Sequence, residues 1–203
     1  MRTVIFDFDG TLSYKDSMKE LFNEQMSGWR KVYRIYYYLL KVLAKLKITS
    51  VKFEKEQMLK LLFHSDLEEF ANASREQAKR FRLNPLFAKI QEHIDNDDRV
   101  IVLSASSMYF LETIFEGMKV ELVCTTLKVS NGRILAIDRH PFYYEKIKCL
   151  KQMGIEQVDE MYYDSKWDEV LIPICKVSHK VENGQILCCL LYTSPSPRDP
   201  KTS

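Results

Sequence analysis

The sequence predicts an α/β fold with a parallel sheet and a long helical segment inserted after its first strand. Two short apolar runs rich in β-branched residues, 4–6 and 99–103, have the composition of buried strands. Between them the chain keeps a helical periodicity almost throughout, with Gly28 and Pro85 as breaks. With 203 residues, 46% of them hydrophobic, the chain can bury one full core and a small accessory domain.

Charge and cysteine content exclude several classes of protein. The net charge is +2, from 30 basic and 28 acidic residues, so no overall field favours nucleic acid or a membrane as partner. Five cysteines without regular spacing, and no secretory segment before the first strand, predict a reduced, cytoplasmic protein. No apolar run approaches the roughly 20 residues that a membrane-spanning helix needs.

The first predicted strand ends in Asp7 and Asp9, spaced one residue apart and followed by Gly10 and Thr11. Two carboxylates at the edge of an apolar core cost free energy unless a cation or hydrogen bonds compensate them, and a bound metal ion is the simplest compensation. Gly10 permits the bend that would aim both carboxylates at one phosphoryl group. The alternative is an ordinary strand followed by a polar turn.

The segment 7–11 (DFDGT) resembles the first motif of the haloacid dehalogenase (HAD) superfamily of phosphatases. The resemblance implies a Rossmann-like α/β core, residues 1–11 and 96–187, with the active site at the carboxyl ends of parallel strands. It also implies that residues 12–95 form a helical cap of the C1 type, as in subfamily IB. That subfamily includes phosphoserine phosphatases and phosphatidylglycerophosphate phosphatases. Such caps close over the phosphoryl site and select the substrate.

Within the predicted cap, residues 29–48 contain several basic residues and no acidic one. The pattern predicts a basic amphipathic helix that lies in an anionic membrane interface or frames an acidic substrate. The alternative is a cap helix whose apolar face packs on its neighbour while its basic face is solvated. The predicted apolar face consists of Val32, Ile35, Tyr36, Leu39, Leu43 and Leu46, and the opposite face carries Arg34, Lys41 and Lys45.

Two further cap positions bear on the substrate. Asp16 lies nine residues after Asp7, where the phosphoserine phosphatase branch has an acidic residue that binds the substrate amino group. The arginine that binds the substrate carboxylate in that branch is replaced here by Met58, whose thioether cannot pair with a carboxylate. Asp16 is therefore a substrate-binding candidate, and phosphoserine is disfavoured as the substrate. The isolated histidines His64, His93 and His179 predict structural roles.

The second predicted strand ends at the segment 104–107, a run of small residues. A hydroxyl at this position, beside exposed backbone N–H groups, suits a phosphoryl oxygen, and Ser104 resembles the second motif of the family. The alternative is that the serines here cap the following helix at 109–116. Further along, residues 120–129 predict a strand, and Asn131-Gly132 predicts a hairpin with 133–137 as its return arm.

The third and fourth motifs follow in order. Lys146, on a helix predicted from Tyr144 to Gly154, resembles the family lysine that binds the phosphoryl group; Lys148 is the competing candidate. A strand at 160–163 ends in Asp164, with Asp168 four residues later, and the usual glycine before the first acid is replaced by Tyr163. Carboxylate oxygens from two strand ends are the ligands that Mg²⁺ prefers.

The end of the chain differs from the rest. Residues 180–187 predict a last strand or hairpin with Asn183-Gly184 as its turn. The following Pro- and Ser-containing stretch resembles the translation of an adapter used in DNA library preparation. We interpret residues 188–203 as a sequencing scar that forms a disordered tail, in which case the native C-terminus is missing. A genuine flexible tail is the alternative.

The resemblance implies a Mg²⁺-dependent phosphomonoester phosphatase that forms an aspartyl-phosphate. Asp7 would be the nucleophile and Asp9 the general acid and base. Ser104 and Lys146 would bind the phosphate. The Mg²⁺ ligands would be the Asp7 carboxylate, the Asp9 main-chain carbonyl and Asp164, and the supporting residues would be Gly10, Thr11 and Asp168.

Three functions stay open at this point. The first is a phosphatase for a lipid-linked or other bulky phosphate, with peripheral contact to an anionic membrane through residues 29–48. The second is a phosphatase for a soluble small metabolite such as phosphoserine. The third is a non-catalytic phosphate-binding or signalling module, against which the long cap and the intact motifs argue. None of the three involves nucleic acid.

Overall fold

The computed structural model describes residues 1–191 of the chain. Two sheets are present in this part of the protein, one of six strands and one of two. The strands are β1 (Thr3–Phe6), β2 (Arg99–Ser107), β3 (Glu121–Thr125), β4 (Leu127–Ser130), β5 (Arg133–Ile137), β6 (Val158–Tyr163), β7 (Cys175–Glu182) and β8 (Gln185–Leu191).

The six-stranded sheet has the order β3-β2-β1-β6-β7-β8, and all of its neighbours are parallel except β7 and β8. The sheet confirms the predicted α/β fold class. In the register of β1, Phe6 lies beside Val102 of β2 on one side and Tyr162 of β6 on the other. This alignment brings the carboxyl ends of the three central strands to the same edge of the sheet, where their loops meet.

Seven α-helices surround the sheets in the described part of the chain. The first four, which together we call the cap, bury side chains in a separate apolar cluster around Phe22, Met58 and Phe63. Three of the four begin at a side-chain cap, Asp16, Ser50 or Asp66, that accepts a backbone hydrogen bond. The helices are α1 (Ser17–Gln25), α2 (Tyr33–Lys45), α3 (Val51–Leu62), α4 (Leu67–Arg80), α5 (Ala88–Asp95), α6 (Met108–Ile114) and α7 (Tyr144–Gln152).

The helical cap ends earlier than its predicted boundary at residue 95. Phe81, Leu83 and Ile90 belong to the apolar cluster that covers one face of the main sheet, so α5 is part of the core. The side-chain amide of Asn84 donates a 2.8 Å hydrogen bond to the main-chain oxygen of Thr11 and thereby ties together the two connections between cap and core. Helical periodicity continues across this boundary because α5 is also amphipathic, but its apolar face packs on the main sheet instead of on the cap helices.

The predicted strand at 120–129 is two strands in two different sheets. The chain leaves the main sheet after β3, and β4 pairs with β5 across the predicted Asn131-Gly132 turn, where both residues have positive φ. Ile134 and Ile137 pack into the apolar cluster of the cap. The hairpin is therefore an addition to the cap, joined to it by the 3.0 Å hydrogen bond from the Leu67 amide to the Gly132 oxygen.

Helix α2 exposes the apolar face that the sequence pattern predicts. The predicted helix at 29–48 is a 3₁₀ turn at Gly28–Val32 followed by α2, and α2 buries Tyr37 and Leu40. Ile35 is 75% exposed and Leu39 is 52% exposed. The predicted apolar face is therefore largely exposed, while α2 packs in the cap through Tyr37 and Leu40. None of the helices in residues 1–191 has the length and hydrophobicity that crossing a bilayer demands.

The last strand extends beyond the predicted end of the core at residue 187. β8 pairs antiparallel with β7 as far as Leu191, across the predicted turn at Asn183-Gly184, so residues 188–191 are part of the sheet. The rest of the predicted tail, 192–203, lies outside the described residues.

Candidate active site

Asp7 and Lys146 form a buried ion pair at the carboxyl edge of the sheet. Asp7 follows β1, and its backbone amide donates a 3.0 Å hydrogen bond to the Tyr162 oxygen, which fixes where its side chain begins. The Nζ atom of Lys146 lies 2.7 Å from Oδ1 of Asp7, and Lys146 also pairs with Asp168. Burial alone would lower the pKa of Lys146, but the two carboxylates raise it above its usual value, so the ammonium stays charged.

Three carboxylates converge beside this lysine. One oxygen from each of Asp7, Asp164 and Asp168 lies within 4.8 Å of the other two. Oδ1 of Asp164 is buried and has no hydrogen-bond partner among the described residues. Burial, with help from Asp168, raises the pKa of Asp164 to about 6, and burial also raises the pKa of Asp7. A cluster of hard oxygen donors with one unsatisfied atom fits a divalent cation such as Mg²⁺.

The carboxylate of Asp9 lies outside this cluster and is held by two serines. Its Oδ1 accepts a 2.8 Å hydrogen bond from the Ser17 amide at the start of α1, and its Oδ2 accepts one of 2.8 Å from the Ser106 hydroxyl. Burial raises the pKa of Asp9 to about 7, although these hydrogen bonds oppose the shift. A carboxyl with this pKa can exist in both protonation states near neutral pH, as a general acid and base requires.

Gly10 gives Asp164 the space that it occupies. The residue has φ +85°, and a Cβ built there would lie 2.2 Å from Oδ2 of Asp164. A side chain at this position would therefore both strain the backbone and displace the carboxylate. The neighbouring Thr11 is fully buried, and its hydroxyl has no hydrogen-bond partner among residues 1–191.

Ser104 lines the same cavity and is 1% exposed. Its hydroxyl accepts a 3.2 Å hydrogen bond from the Ser106 amide and lies 3.0 Å from the Ser106 hydroxyl. The next helix, α6, has no side-chain hydrogen bond at its cap residue, Ser107, so the capping role considered for these serines is not observed. β2 instead continues through the serines, and the Ser106 hydroxyl donates its hydrogen bond to Asp9.

The cap closes one side of a cavity of about 560 Å³ above these groups. The cap wall contains both apolar and charged side chains. The wall is lined by Tyr14, Lys15, Asp16, Met18, Lys19, Phe22, Tyr37, Lys41, Val51, Glu54 and Lys55.

The two cap positions that were considered for substrate binding differ in whether they line the cavity. Asp16 lines the cavity, but its carboxylate also caps α1 by accepting a 2.8 Å hydrogen bond from the Lys19 amide. Met58 is completely buried in the apolar cluster of the cap and does not line the cavity, so this position faces no substrate. The competing lysine, Lys148, is exposed and pairs with Glu145, whereas Lys146 faces Asp7.

The predicted structural histidines do not line the cavity. His93 lies 2.9 Å from Asp98, and His179, which was expected to have no partner, donates a 2.8 Å hydrogen bond to Glu160. His64 is exposed near Glu69.

Three residues of the site were not predicted as site residues from the sequence. Ser106 has the signal of standing two residues after Ser104, on the same side of an extended strand. Ser17 directly follows the predicted start of a helix, where a free backbone amide can reach an anion. Glu54 has no distinguishing signal, because an acid in the first turn of a helix is common on helical grounds alone.

Comparisons with known proteins bear on the family and the fold of this chain. The family model described as haloacid dehalogenase-like hydrolase matches residues 4–165. No curated protein matches the chain by sequence.

Several solved structures share the fold. A protein of unknown function from Bordetella pertussis Tohama I superposes with a TM-score of 0.69 at 21% identity, covering 84% of this chain and 85% of that one. A substrate-bound phosphoserine phosphatase gives a TM-score of 0.60 at 17% identity, covering 88% and 85%. A phospho-aspartyl intermediate analogue of phosphoserine phosphatase gives 0.59 at 16% identity, covering 88% and 86%.

Proposed function

This chain belongs to the haloacid dehalogenase-like hydrolases, and we propose that it is a Mg²⁺-dependent phosphomonoester phosphatase that works through an aspartyl-phosphate. The observation that carries the proposal is the buried convergence of Asp7, Asp164 and Asp168 around Lys146 at the carboxyl edge of the sheet. A merely structural ion pair needs no third carboxylate, and it would not leave Oδ1 of Asp164 without a partner.

In the first step, a carboxylate oxygen of Asp7 attacks phosphorus in line with the ester bond. The bond from Asp7 to phosphorus forms, the bond from phosphorus to the leaving oxygen breaks, and Asp9 transfers its proton to that oxygen. The hydrogen bonds from Ser17 and Ser106 hold the Asp9 carboxyl in place for this transfer.

In the second step, water attacks the phosphorus of the aspartyl-phosphate. Asp9, now a carboxylate, accepts a proton from the water, and the bond between phosphorus and Asp7 breaks to give inorganic phosphate and the free enzyme. Lys146 and the Ser104 hydroxyl line the cavity where the phosphoryl oxygens would lie, and their positions support roles in neutralising and orienting that group.

Asp7, Asp164 and the main-chain carbonyl of Asp9 would hold the Mg²⁺ ion, with Asp168 supporting its waters or Lys146. When bound, the ion would neutralise the charge of the carboxylates and of the phosphoryl oxygens.

The test is hydrolysis of a generic aryl phosphate by the full chain. We expect turnover in the presence of Mg²⁺, loss of turnover after chelation by EDTA, and recovery when Mg²⁺ is added back. Folded protein that shows no turnover with Mg²⁺ would refute the catalytic proposal and favour a phosphate-binding module.

We propose further that the natural substrate carries a bulky or lipid-linked group and that the cap contacts an anionic membrane. The support is the exposed apolar face of α2 and the preceding turn, on which Val32, Ile35 and Leu46 are 58%, 75% and 63% exposed. The segment 29–48 has no acidic residue, so its charge complements anionic lipid headgroups.

Sedimentation with vesicles tests the membrane contact. We expect binding to vesicles that contain phosphatidylglycerol, no binding to neutral phosphatidylcholine vesicles, and weakening of the binding by salt. The double variant Ile35→Glu/Leu39→Glu should lose this binding. Leu135→Glu is the matched control, because Leu135 is a similarly exposed residue, 48% exposed, on the β4–β5 hairpin. Absence of binding to either type of vesicle would exclude the contact.

A soluble phosphorylated metabolite is the second candidate substrate. Lys19, Lys41 and Lys55 line the cap wall and favour a leaving group that carries its own negative charge. A panel of lipid and soluble phosphates distinguishes the candidates, because only a lipid phosphatase should lose activity with the Ile35→Glu/Leu39→Glu variant when substrate is presented in vesicles.

A further inference from the structure

We infer that Glu54 determines the specificity of the cavity by accepting a hydrogen bond from the leaving group, so that the preferred substrates are phosphate esters of alcohols bearing a second hydrogen-bond donor. This inference rests on the proposed phosphatase function, since it assigns the part of the substrate that points away from the phosphoryl group.

Glu54 is an acid in the cavity wall that no described side chain or backbone group binds directly. It lies in the first turn of α3, lines the same cavity as Asp7 and Ser104, and is 7% exposed. Within residues 1–191, its carboxylate makes neither a hydrogen bond nor an ion pair. The Glu54 oxygens are not among the fully enclosed polar atoms of residues 1–191, so they open to the cavity. A hydrogen-bond donor on a bound molecule can therefore replace water at an acceptor that the protein itself leaves available.

The neighbours of Glu54 on the same helix already have partners. Lys55 donates a 3.2 Å hydrogen bond to the oxygen of Ala105, and Glu56 accepts one of 2.8 Å from the Ile137 amide. An acid near a helix N-terminus is stabilised by the helix dipole, but the dipole stabilises an exposed acidic side chain as well. Stabilisation of the helix therefore does not explain why Glu54 is buried in the cavity wall.

The surroundings of Glu54 contain charges of both signs. Burial raises the pKa of Glu54, whereas Lys41 and Lys55 lower it and Asp16 raises it further. Because the two lysines lie near the acid without bonding to it, they support its charge and leave its oxygens available. Their positive charges also disfavour a ligand that carries an ammonium group beside Glu54, so a hydroxyl donor fits better than an amine.

Matched propyl esters test the inference through binding, independently of turnover. The Asp7→Asn protein is titrated by calorimetry, in the presence of Mg²⁺, with propyl phosphate, 3-hydroxypropyl phosphate and 3-aminopropyl phosphate. We expect the hydroxypropyl ester to bind about fivefold to tenfold more tightly than the propyl ester, as one hydrogen bond to a charged group provides. A preference for the aminopropyl ester would support the same acceptor and assign an amine as its ligand.

The variants locate the effect. Adding Glu54→Ala to the Asp7→Asn protein should reduce the preference to about one, whereas Glu54→Gln should keep part of it, because the amide oxygen still accepts a hydrogen bond from a hydroxyl. Glu68→Ala is the matched control, since Glu68 is an exposed acid near the start of another cap helix, α4. A preference that survives Glu54→Ala, or equal binding of all three esters by the Asp7→Asn protein, would overturn the inference.

The native protein separates this result from the proposed function. Aryl phosphate has no second donor, so its hydrolysis reports the phosphatase chemistry without Glu54. Normal hydrolysis together with equal ester binding would remove only the Glu54 inference. Absent hydrolysis together with a Glu54-dependent preference would remove only the catalytic proposal.

Discussion

Lys146 and Asp7 are 139 positions apart in the chain, and their side chains meet at 2.7 Å inside the protein. The lysine side chain is 4% exposed, so this contact holds a charge where water scarcely reaches it. Asp168 is the second partner of the same ammonium. Loss of Asp7 alone would therefore leave the buried cation paired, which separates the chemistry of Asp7 from the stability of the fold.

Replacing Asp7, the proposed nucleophile, gives the first prediction. Asp7→Asn should reduce turnover of an aryl phosphate by at least about 1000-fold, because an amide cannot form the acyl-phosphate. The midpoint of thermal unfolding should stay within a few degrees of the original, since Lys146 keeps Asp168 as its partner. Substantial activity in the variant would refute the assignment of Asp7.

The two neighbouring serines of β2 give a matched pair of variants. Ser106→Ala removes the 2.8 Å hydrogen bond to Asp9 and should lower kcat for an aryl phosphate by about tenfold to 100-fold with little change in KM. Ser107→Ala should change neither, because the Ser107 hydroxyl is buried and has no partner within the described residues. Equal kcat values for the two variants would contradict the role given to Ser106.

Gly10 allows steric and backbone effects to be separated. Gly10→Ala should lower the free energy of unfolding by about 1–3 kcal/mol and abolish Mg²⁺-dependent activity, because the new methyl group would meet Asp164 at a positive φ. Gly154→Ala is the control: Gly154 has φ +72° but no atom within 4 Å of the added Cβ. We expect the control to lose about 1 kcal/mol in chemical denaturation and to keep its activity.

The contribution of ionised Glu160 to the stability of the fold should depend on pH. This carboxylate accepts hydrogen bonds from His179 and Tyr162 and pairs with Arg2, and these contacts lower its pKa to about 2. Because the pKa of Glu160 is lower in the folded protein than the value near 4.5 of the unfolded chain, the ionised carboxylate stabilises the fold above pH 4.5. This stabilisation is lost as the pH falls toward 2.

Glu160→Gln should therefore unfold about 2 kcal/mol more easily at pH 7, and the difference from the original protein should shrink steadily between pH 4.5 and pH 2. Urea denaturation at several pH values measures it. A difference that stays constant over this range would show that the contacts of Glu160 do not depend on its charge.

The strand-end motifs were predictable because the carboxyl ends of parallel strands share one edge of a sheet, whatever the rest of the chain does. Asp7, Ser104 and Asp164 each follow a run of predicted strand residues, and the resemblance to the family motifs then singled them out. Lys146 could be found only by its resemblance to a family motif, since lysines are common on helices.

The cap was harder to predict, because periodicity shows which residues share a helix face but not which face is covered. Helix α2 carries two apolar stripes. The structure buries Tyr37 and Leu40 and exposes Ile35 and Leu39. Only the tertiary packing of α2 against α3 selects between the stripes. The same limit applies to Glu54, whose isolation depends on neighbours from other helices.

Ser17 belongs to the cap by its place at the start of α1 and to the candidate active site by its hydrogen bond to Asp9. A rigid movement of α1 away from the sheet must break that bond. By thermodynamic linkage, a change in the position of α1 would then change the proton affinity of Asp9, and a change in the protonation of Asp9 would change the preferred position of α1. A displacement of the cap and the protonation of Asp9 would for that reason be thermodynamically coupled.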